Sequence, residues 1–264
     1  MKKIFLIFII VFISCEEVVD VELKESEPRL VIEASLLWDE EREENLQFIK
    51  LSSTAPYFNE EISPATGASV KIITETGEEY LFREVSDGLY QNDEIVAVQD
   101  IDYHLEIVYQ NELYTATEQF VLTPTLQFVE QELGGFSDDE YEFKVYYEDP
   151  AERANFYLFR YLNERYYLQI YNDEFTNGNQ TFAFFSDEDA TPGDLVIFEV
   201  QGISQQFYEY MFILRSQAGN ANGGPFQTQP SIVRGNIVNQ TNPDNFPFGY
   251  FRLSEVDVLA YEVE

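Results

Sequence analysis

The chain of 264 residues holds one cysteine, one histidine, one tryptophan and two methionines. One cysteine leaves no intramolecular disulfide, so stability has to come from packing. One histidine excludes a His-rich zinc site, and with no further thiol it excludes a Cys–His pair. Cations are scarce: 15 Lys and Arg stand against 49 Asp and Glu, a formal charge of -34. A polyanion of this size is repelled by nucleic acid, whose binding depends on basic side chains neutralising phosphates. It also gains nothing electrostatically from an anionic bilayer surface. No apolar run reaches the roughly 20 residues that a membrane-crossing helix needs. There is no Gly-x-Ser-x-Gly elbow, no phosphate-cradling glycine loop and no dinucleotide fingerprint.

What is present begins with a leader. Lys2 and Lys3 precede an apolar run from Ile4 to Ile13, and Ser14-Cys15 follows. This is the layout of a secretory signal. A thiol at the cleavage point, behind a small residue, predicts a lipoprotein signal over 1–14 in which Cys15 carries diacylglycerol and fatty acid. Phe12 stands where leucine is more usual. Several acyl chains together anchor stably where one does not. Loss of Lys2 and Lys3 with the leader takes the charge from -34 to -36. Residues 15–28 read as an acidic tether, and Glu16 and Glu17 as an export signal toward the cell surface, with the periplasmic leaflet as the alternative.

Phe and Tyr are abundant, 23 and 18, and both favour strands. Leu30, Ile32 and Ala34 alternate with other residues, and Gln47–Leu51, Ala68–Glu75, Tyr80–Glu84, Leu89-Tyr90, Tyr103–Tyr109 and Leu113–Val121 continue the pattern. Short strands with turn signals between them predict an immunoglobulin- or transthyretin-like β-sandwich over 29–123. A boundary is expected at Pro124, then a second β-rich domain over 124–264, with strands at Leu126–Glu132, Glu142–Tyr147, Phe156–Leu162, Arg165–Tyr171, Thr181–Phe185, Leu195–Val200, Ile232–Val238 and Phe251–Tyr261. One amphipathic helix is predicted near 204–217, capped by Ser204, with Phe207, Tyr208, Met211, Phe212 and Leu214 at helical spacing. Gln217–Pro230 is a loop by composition.

Candidate chemistry is thin. His104 lies inside an alternating strand, where a core or surface role outweighs a catalytic one. Glycosidases need only two carboxylates, but among 49 acids nearby pairs arise by chance. The acidic turns carrying Asp138, Asp139, Asp187 and Asp189 could hold calcium, which prefers several oxygen ligands, or be solvated turns; neither matches an EF-hand. Binding is the remaining class. The loop with Asn220, Asn222, Gly223, Gly224 and Phe226 could meet a ligand or partner. So could some of Tyr146, Tyr147, Tyr157, Tyr161, Tyr166, Tyr167 and Tyr171, most of which are expected in the core.

Several pieces together carry a resemblance: Cys15-Glu16-Glu17, Gly67-Ala68-Ser69-Val70, Asp87-Gly88-Leu89-Tyr90, Tyr103-His104-Leu105-Glu106-Ile107, Tyr114, Asn236-Ile237 and Gly249-Tyr250-Phe251. The chain resembles the Bacteroidota lipoproteins grouped as domain of unknown function 4249. The resemblance implies an outer-membrane lipoprotein, commonly encoded beside a TonB-dependent receptor, and no established activity. The expectation is therefore a lipid-anchored, non-catalytic binding protein accessory to such a receptor, with no cofactor beyond the lipid. The alternatives are a free-standing glycan- or peptide-binding lipoprotein and a carboxylate-dependent glycoside hydrolase.

Overall fold

A computed structural model describes residues 27–39, 45–56, 62–134, 140–218 and 231–264. The chain is mainly β. In order it forms β1 Leu30–Asp39, β2 Gln47–Ser53, β3 Ser69–Thr74, β4 Glu79–Ser86, β5 Leu89–Asn92, β6 Asp102–Tyr109 and β7 Glu112–Val121. Then come β8 Leu126–Leu133, β9 Tyr141–Glu148, β10 Phe156–Leu162, β11 Tyr166–Asn172, β12 Gln180–Asp187, β13 Leu195–Gly202, α1 Gln205–Ala218, β14 Val238–Asn239 and β15 Phe248–Glu262. Most expected strands lie within a residue or two of their predicted bounds, because alternating burial leaves a clear period of two. The exception is Ile232–Val238, of which only the last residue enters a strand.

Twelve strands form one sheet in the order β11-β10-β13-β15-β1-β2-β5-β4-β3-β6-β7-β14, and β12-β9-β8 form a second. β15 changes partners along its length. Along one edge it runs parallel to β1, from Val31↔Phe248 to Asp39↔Val256. Along the other it meets β7 at Leu253 and Ser254, then β13 from Val256 to Glu262. The strands from β15 through β1 to β7 therefore return on themselves around one core, and the end of β15 continues into another.

The first core holds Ile32, Leu36, Ile49, Leu51, Ile72, Tyr90, Tyr103, Leu105 and Ile107, joined by Ile237, Phe251 and Leu253 from late in the chain. The boundary expected at Pro124 is crossed by that returning segment. The second core, between the three-stranded sheet and β10, β13 and β15, holds Phe143, Tyr147, Tyr157, Phe159, Tyr161, Phe185 and Phe198. β10 is buried on both faces: Tyr157, Phe159 and Tyr161 enter the second core, while Phe156 and Leu158 meet α1. Burying each such ring contributes about 1.5–3 kcal/mol.

Ser204 caps α1 as predicted, its hydroxyl accepting the Phe207 amide at 3.2 Å. Phe207 is buried and Tyr208, Tyr210 and Met211 are partly buried. Beyond Met211, Phe212, Ile213 and Leu214 are exposed. Among the described residues no helix is long and apolar enough to cross a membrane.

Candidate functional site: the Trp38 cleft

A cleft opens where β1 and β2 part. Their backbone pairing runs only from Leu30↔Ser53 to Glu33↔Lys50. Further along, the Gln47 side chain bridges the gap: its Oε1 accepts the Leu37 amide at 2.9 Å and its Nε2 donates to the Leu37 carbonyl at 2.8 Å. Gln47 also donates to Asn45, whose amide in turn donates to the Ile95 carbonyl. The strands are thus held apart rather than zipped together, leaving a cavity of about 690 Å³.

Trp38 and Phe120 are among its lining, with rings in edge-to-face contact at 5.4 Å. The connection from β5 to β6 forms another wall. There the Asn92 side chain accepts the Glu94 and Ile95 amides, an Asx turn that starts the loop. The buried Tyr103 hydroxyl then accepts the Val98 amide and donates to the Val96 carbonyl, both at 2.8 Å. Held by their backbone, Val96 and Val98 present their side chains to solvent, 56% and 47% exposed, as does Leu46 at 40%.

The described residues that line it include two carboxylates, Asp39 and Glu255. Glu255 accepts the Thr123 amide at 2.8 Å. Gln99 and Leu122 also line an adjoining cavity of about 540 Å³ that reaches Pro150, Asn155 and Ser204. Two buried polar atoms at this junction have no partner, Trp38 Nε1 and Thr123 Oγ1. The cleft gathers residues from five stretches of chain, and the one sequence signal for it was the single tryptophan, which the sequence reading left unused.

Cys15, Glu16, Glu17, Asp138, Asp139, Asn220, Asn222, Gly223, Gly224 and Phe226 lie outside the described residues. The two ends of the Asn/Gly-rich loop are tied together by Gln217 and Ser231, amide to side chain at 3.1 Å. Asp187 and Asp189 are described, and both are engaged by the protein itself. Asp187 is a buried strand residue rather than part of a solvated turn. It accepts the Tyr161 hydroxyl at 2.7 Å, the Asn163 amide at 3.0 Å and the Asp189 backbone amide at 3.0 Å. Burial works against its charge, but these donors and the nearby Arg165 outweigh it and hold the carboxyl below its usual range. Asp189 pairs with Arg165 at 2.7 Å. Among the described residues no cluster of three or more His, Cys, Asp or Glu could hold a metal ion. His104 faces outward, its Nδ1 at 2.9 Å from Thr117 Oγ1. Of the seven tyrosines, Tyr147, Tyr157 and Tyr161 are core, Tyr167 and Tyr171 pack against it, and Tyr166 is exposed. Tyr146 stacks on Phe128 on the outer face of the three-stranded sheet.

Comparison with known proteins gives a match to the model of a family described as Domain of unknown function (DUF4249) over residues 16–259. The chain belongs to this family. No curated protein matches it. Among solved structures it is similar to the selenomethionine-substituted chicken interferon gamma receptor alpha chain, with 11% identity, 67% of this chain and 88% of that chain covered, and a TM-score of 0.19. A cytokine receptor complex is similar at 9% identity, 68% and 86% coverage and a TM-score of 0.22. Likenesses of that size carry no argument about fold or function.

In this DUF4249 chain Gly67 and Ala68 meet Gly88 and Tyr90, and Asn236 meets Phe251, among the residues that carried the resemblance. Gly88 has φ +69°, and a Cβ there would overlap the Leu51 carbonyl oxygen. Glu84 accepts the amides of both Gly67 and Gly88, and the Tyr90 hydroxyl accepts the Ala68 amide and donates to Ala65 O. Gly249 has φ +99° and lies so close to β1 that a Cβ would overlap the Ile32 carbonyl. Asn236 binds both backbone groups of Phe251 and donates to Glu118 at 3.1 Å.

Two buried charges in this region escaped the sequence reading. Glu118 accepts Tyr250 Oη at 3.1 Å as well as Asn236, and burial raises its pKa against those hydrogen bonds. Arg252 donates to Ser35, Ser254 and Gln201 and lies over the Phe207 ring. Burial, helped by the charge of Arg160, pushes its pKa down to about 9. Ser35 lies on β1 and Gln201 on β13, so Arg252 pins strands of both halves with neutral acceptors.

Proposed function

We infer that this chain is a lipid-anchored, surface-exposed binding protein of the bacterial outer membrane, without catalytic chemistry of its own. It works as an accessory to a TonB-dependent uptake receptor. The leader, the single cysteine at Cys15 and the acidic residues after it support the anchor and its Bacteroidota setting. On this reading 29–123 is an immunoglobulin- or transthyretin-like sandwich, and 124–264 is a second β-rich domain that lends it a strand.

The observation that carries the binding role is the Trp38 cleft, an open cavity rimmed by exposed aliphatic side chains. Asn45, Gln47 and Glu255 in its lining hold backbone groups. Purification in mild detergent tests the accessory role: an outer-membrane β-barrel protein should accompany the chain, and its absence ends that model. Binding of a glycan or peptide with the receptor deleted would favour a free-standing binding lipoprotein. Asp39 and Glu255 both line the cleft, which keeps a hydrolase as the second reading. Hydrolysis of a polysaccharide, abolished by Asp39→Asn, would establish it.

A further inference from the structure

The outer face of the three-stranded sheet carries rings that the core does not use. On the inner face Phe143, Val145, Tyr147, Ala183 and Phe185 fill the second core. Successive residues of a strand alternate between faces, so Leu126 and Phe128, two apart, should both point inward. The pairing shifts between them: Leu126 stands opposite Tyr147 but Phe128 opposite Tyr146, with Gln127 as the extra residue. This β-bulge re-aims Phe128, a use of bulges that is common beside binding and active sites. Leu126 is buried, whereas Phe128 is 42% exposed.

On the outer face Phe128 joins Tyr146 and Phe182, which stand opposite each other on β9 and β12. The three rings form one row across all three strands, with centroids 4.5 and 5.4 Å apart. Strands lie about 4.8 Å apart, so the row is about 10 Å long. Cross-strand rings stabilise a sheet, yet Tyr146 and Phe182 make such a pair without any bulge. Phe182, like Phe128, remains exposed, at 39%.

The borders of the row are polar. On one side Glu130 stands opposite Lys144. On the other Gln180 stands opposite Glu148, and its Nε2 donates to Gln127 Oε1 at 2.6 Å. Gln127 and Glu148 are exposed and line an open cavity of about 760 Å³, which shares no described residue with the Trp38 cleft. On β8 and β9 the apolar strip is one residue wide, and only β12 adds a further ring, Phe184. That is too narrow for the core of a protein interface, which buries about 800 Å² per partner. It suits a ligand with apolar faces and a polar rim. A pyranose with equatorial hydroxyls is such a ligand. Its faces present C–H bonds, which the negative face of an aromatic ring attracts. Its hydroxyls radiate from the edge, where amide and carboxylate side chains can bond them. The chain's formal charge of -34 disfavours an acidic polysaccharide.

We propose that the row of Phe128, Tyr146 and Phe182, with the cavity beside Gln127, binds a neutral glycan of equatorially substituted pyranoses. This site lies apart from the Trp38 cleft and goes beyond the binding reading above, so either can fail without the other. The test is calorimetric titration of the full mature chain, in mild detergent, with cellohexaose and with hexagalacturonate. The expected result is saturable binding of cellohexaose with a Kd on the order of 0.1 mM, at least about tenfold tighter than hexagalacturonate. Phe128→Ala and Phe182→Ala should each lower that affinity at least about tenfold, while Phe182→Tyr, which keeps the ring, retains it. Gln127→Ala should lower it about fivefold and leave the unfolding curve in place, because that side chain is exposed.

No saturable heat with cellohexaose, or equal affinity for hexagalacturonate, overturns the proposal. Affinity unchanged in the Gln127 and Phe182 variants also overturns it, because the glycan then binds elsewhere on the chain. Self-association in sedimentation that Phe182→Ala abolishes would make the row a contact between copies and overturns it too.

Discussion

The two cores of this protein are built from different material. In the first, aliphatic residues dominate, and the buried Tyr90 and Tyr103 hydroxyls bond to backbone. The second is a cluster of rings in which Phe143, Tyr161, Phe185 and Phe198 lie 5.2–5.8 Å apart, within the range where aromatic pairs attract. There the tyrosine hydroxyls reach carboxylates: Tyr157 donates to Asp149 at 2.5 Å and Tyr161 to Asp187 at 2.7 Å. A phenol satisfied by a carbonyl is indifferent to pH, whereas one satisfied by a carboxylate is not. Tyr114 of the first core also donates to a carboxylate, Glu112, at 2.7 Å, so acid should act on both cores, through one such phenol in the first and two in the second.

The largest effect expected is from Phe198→Ala. It empties the centre of the ring cluster and should cost about 3–5 kcal/mol. Because β15 belongs to both cores, denaturation followed by Trp38 emission and by tyrosine near-ultraviolet dichroism should remain one coincident transition. Two separate midpoints would show that the shared strand does not couple the halves.

Asp187→Asn should cost about 1–2 kcal/mol at neutral pH, through weaker acceptance from Tyr161 and Asn163. The wild-type carboxyl has a folded pKa below its unfolded value, so its contribution is present above about pH 4 and lost as pH falls through the folded pKa. The amide variant should lack that part of the acid loss, visible as a smaller difference in urea midpoint between neutral and acid pH.

Glu118 runs the other way. Its folded pKa is raised, so the unfolded chain ionises first and stability declines as pH climbs from the unfolded toward the folded value. Glu118→Gln should remove that decline, with a change at neutral pH of less than about 1 kcal/mol, read from urea midpoints across the same range. If both variants shift the acid limb in the same direction, the contrast between the two carboxylates fails. The smallest effect is at the junction: Thr123→Val removes a hydroxyl with no partner and should be neutral or raise the midpoint slightly, by up to about 1 kcal/mol.

How far these features could be read from the sequence follows from how local each one is. Strands were legible because burial alternates, as in Tyr103, Leu105 and Ile107. The cap at Ser204 needed only a few adjacent residues. The exposure of Phe212 and Leu214 was not legible, since they have the spacing of a buried face, and burial depends on how far β10 and β11 extend beneath the helix. Asp187 read as part of an acidic turn because its acceptor role depends on Tyr161 on a neighbouring element. The cleft was hidden for the same reason: nothing near Trp38 in the chain says that Val96, Phe120 and Glu255 converge on it.

The partner change of β15 also constrains how the chain can fold in time. Its pairing with β1 joins segments some 217 positions apart, the separation of Arg252 from Ser35, and contacts that distant carry a high loop-closure cost and slow folding. Strands β1 to β7 of the first core are made early, yet that core cannot close until β14 and residues 248–256 arrive, and β15 then serves the second. Until then β1 and β7 present open edges. While those edges wait, the net negative charge of the chain, -34 in all, opposes their pairing with a neighbouring molecule.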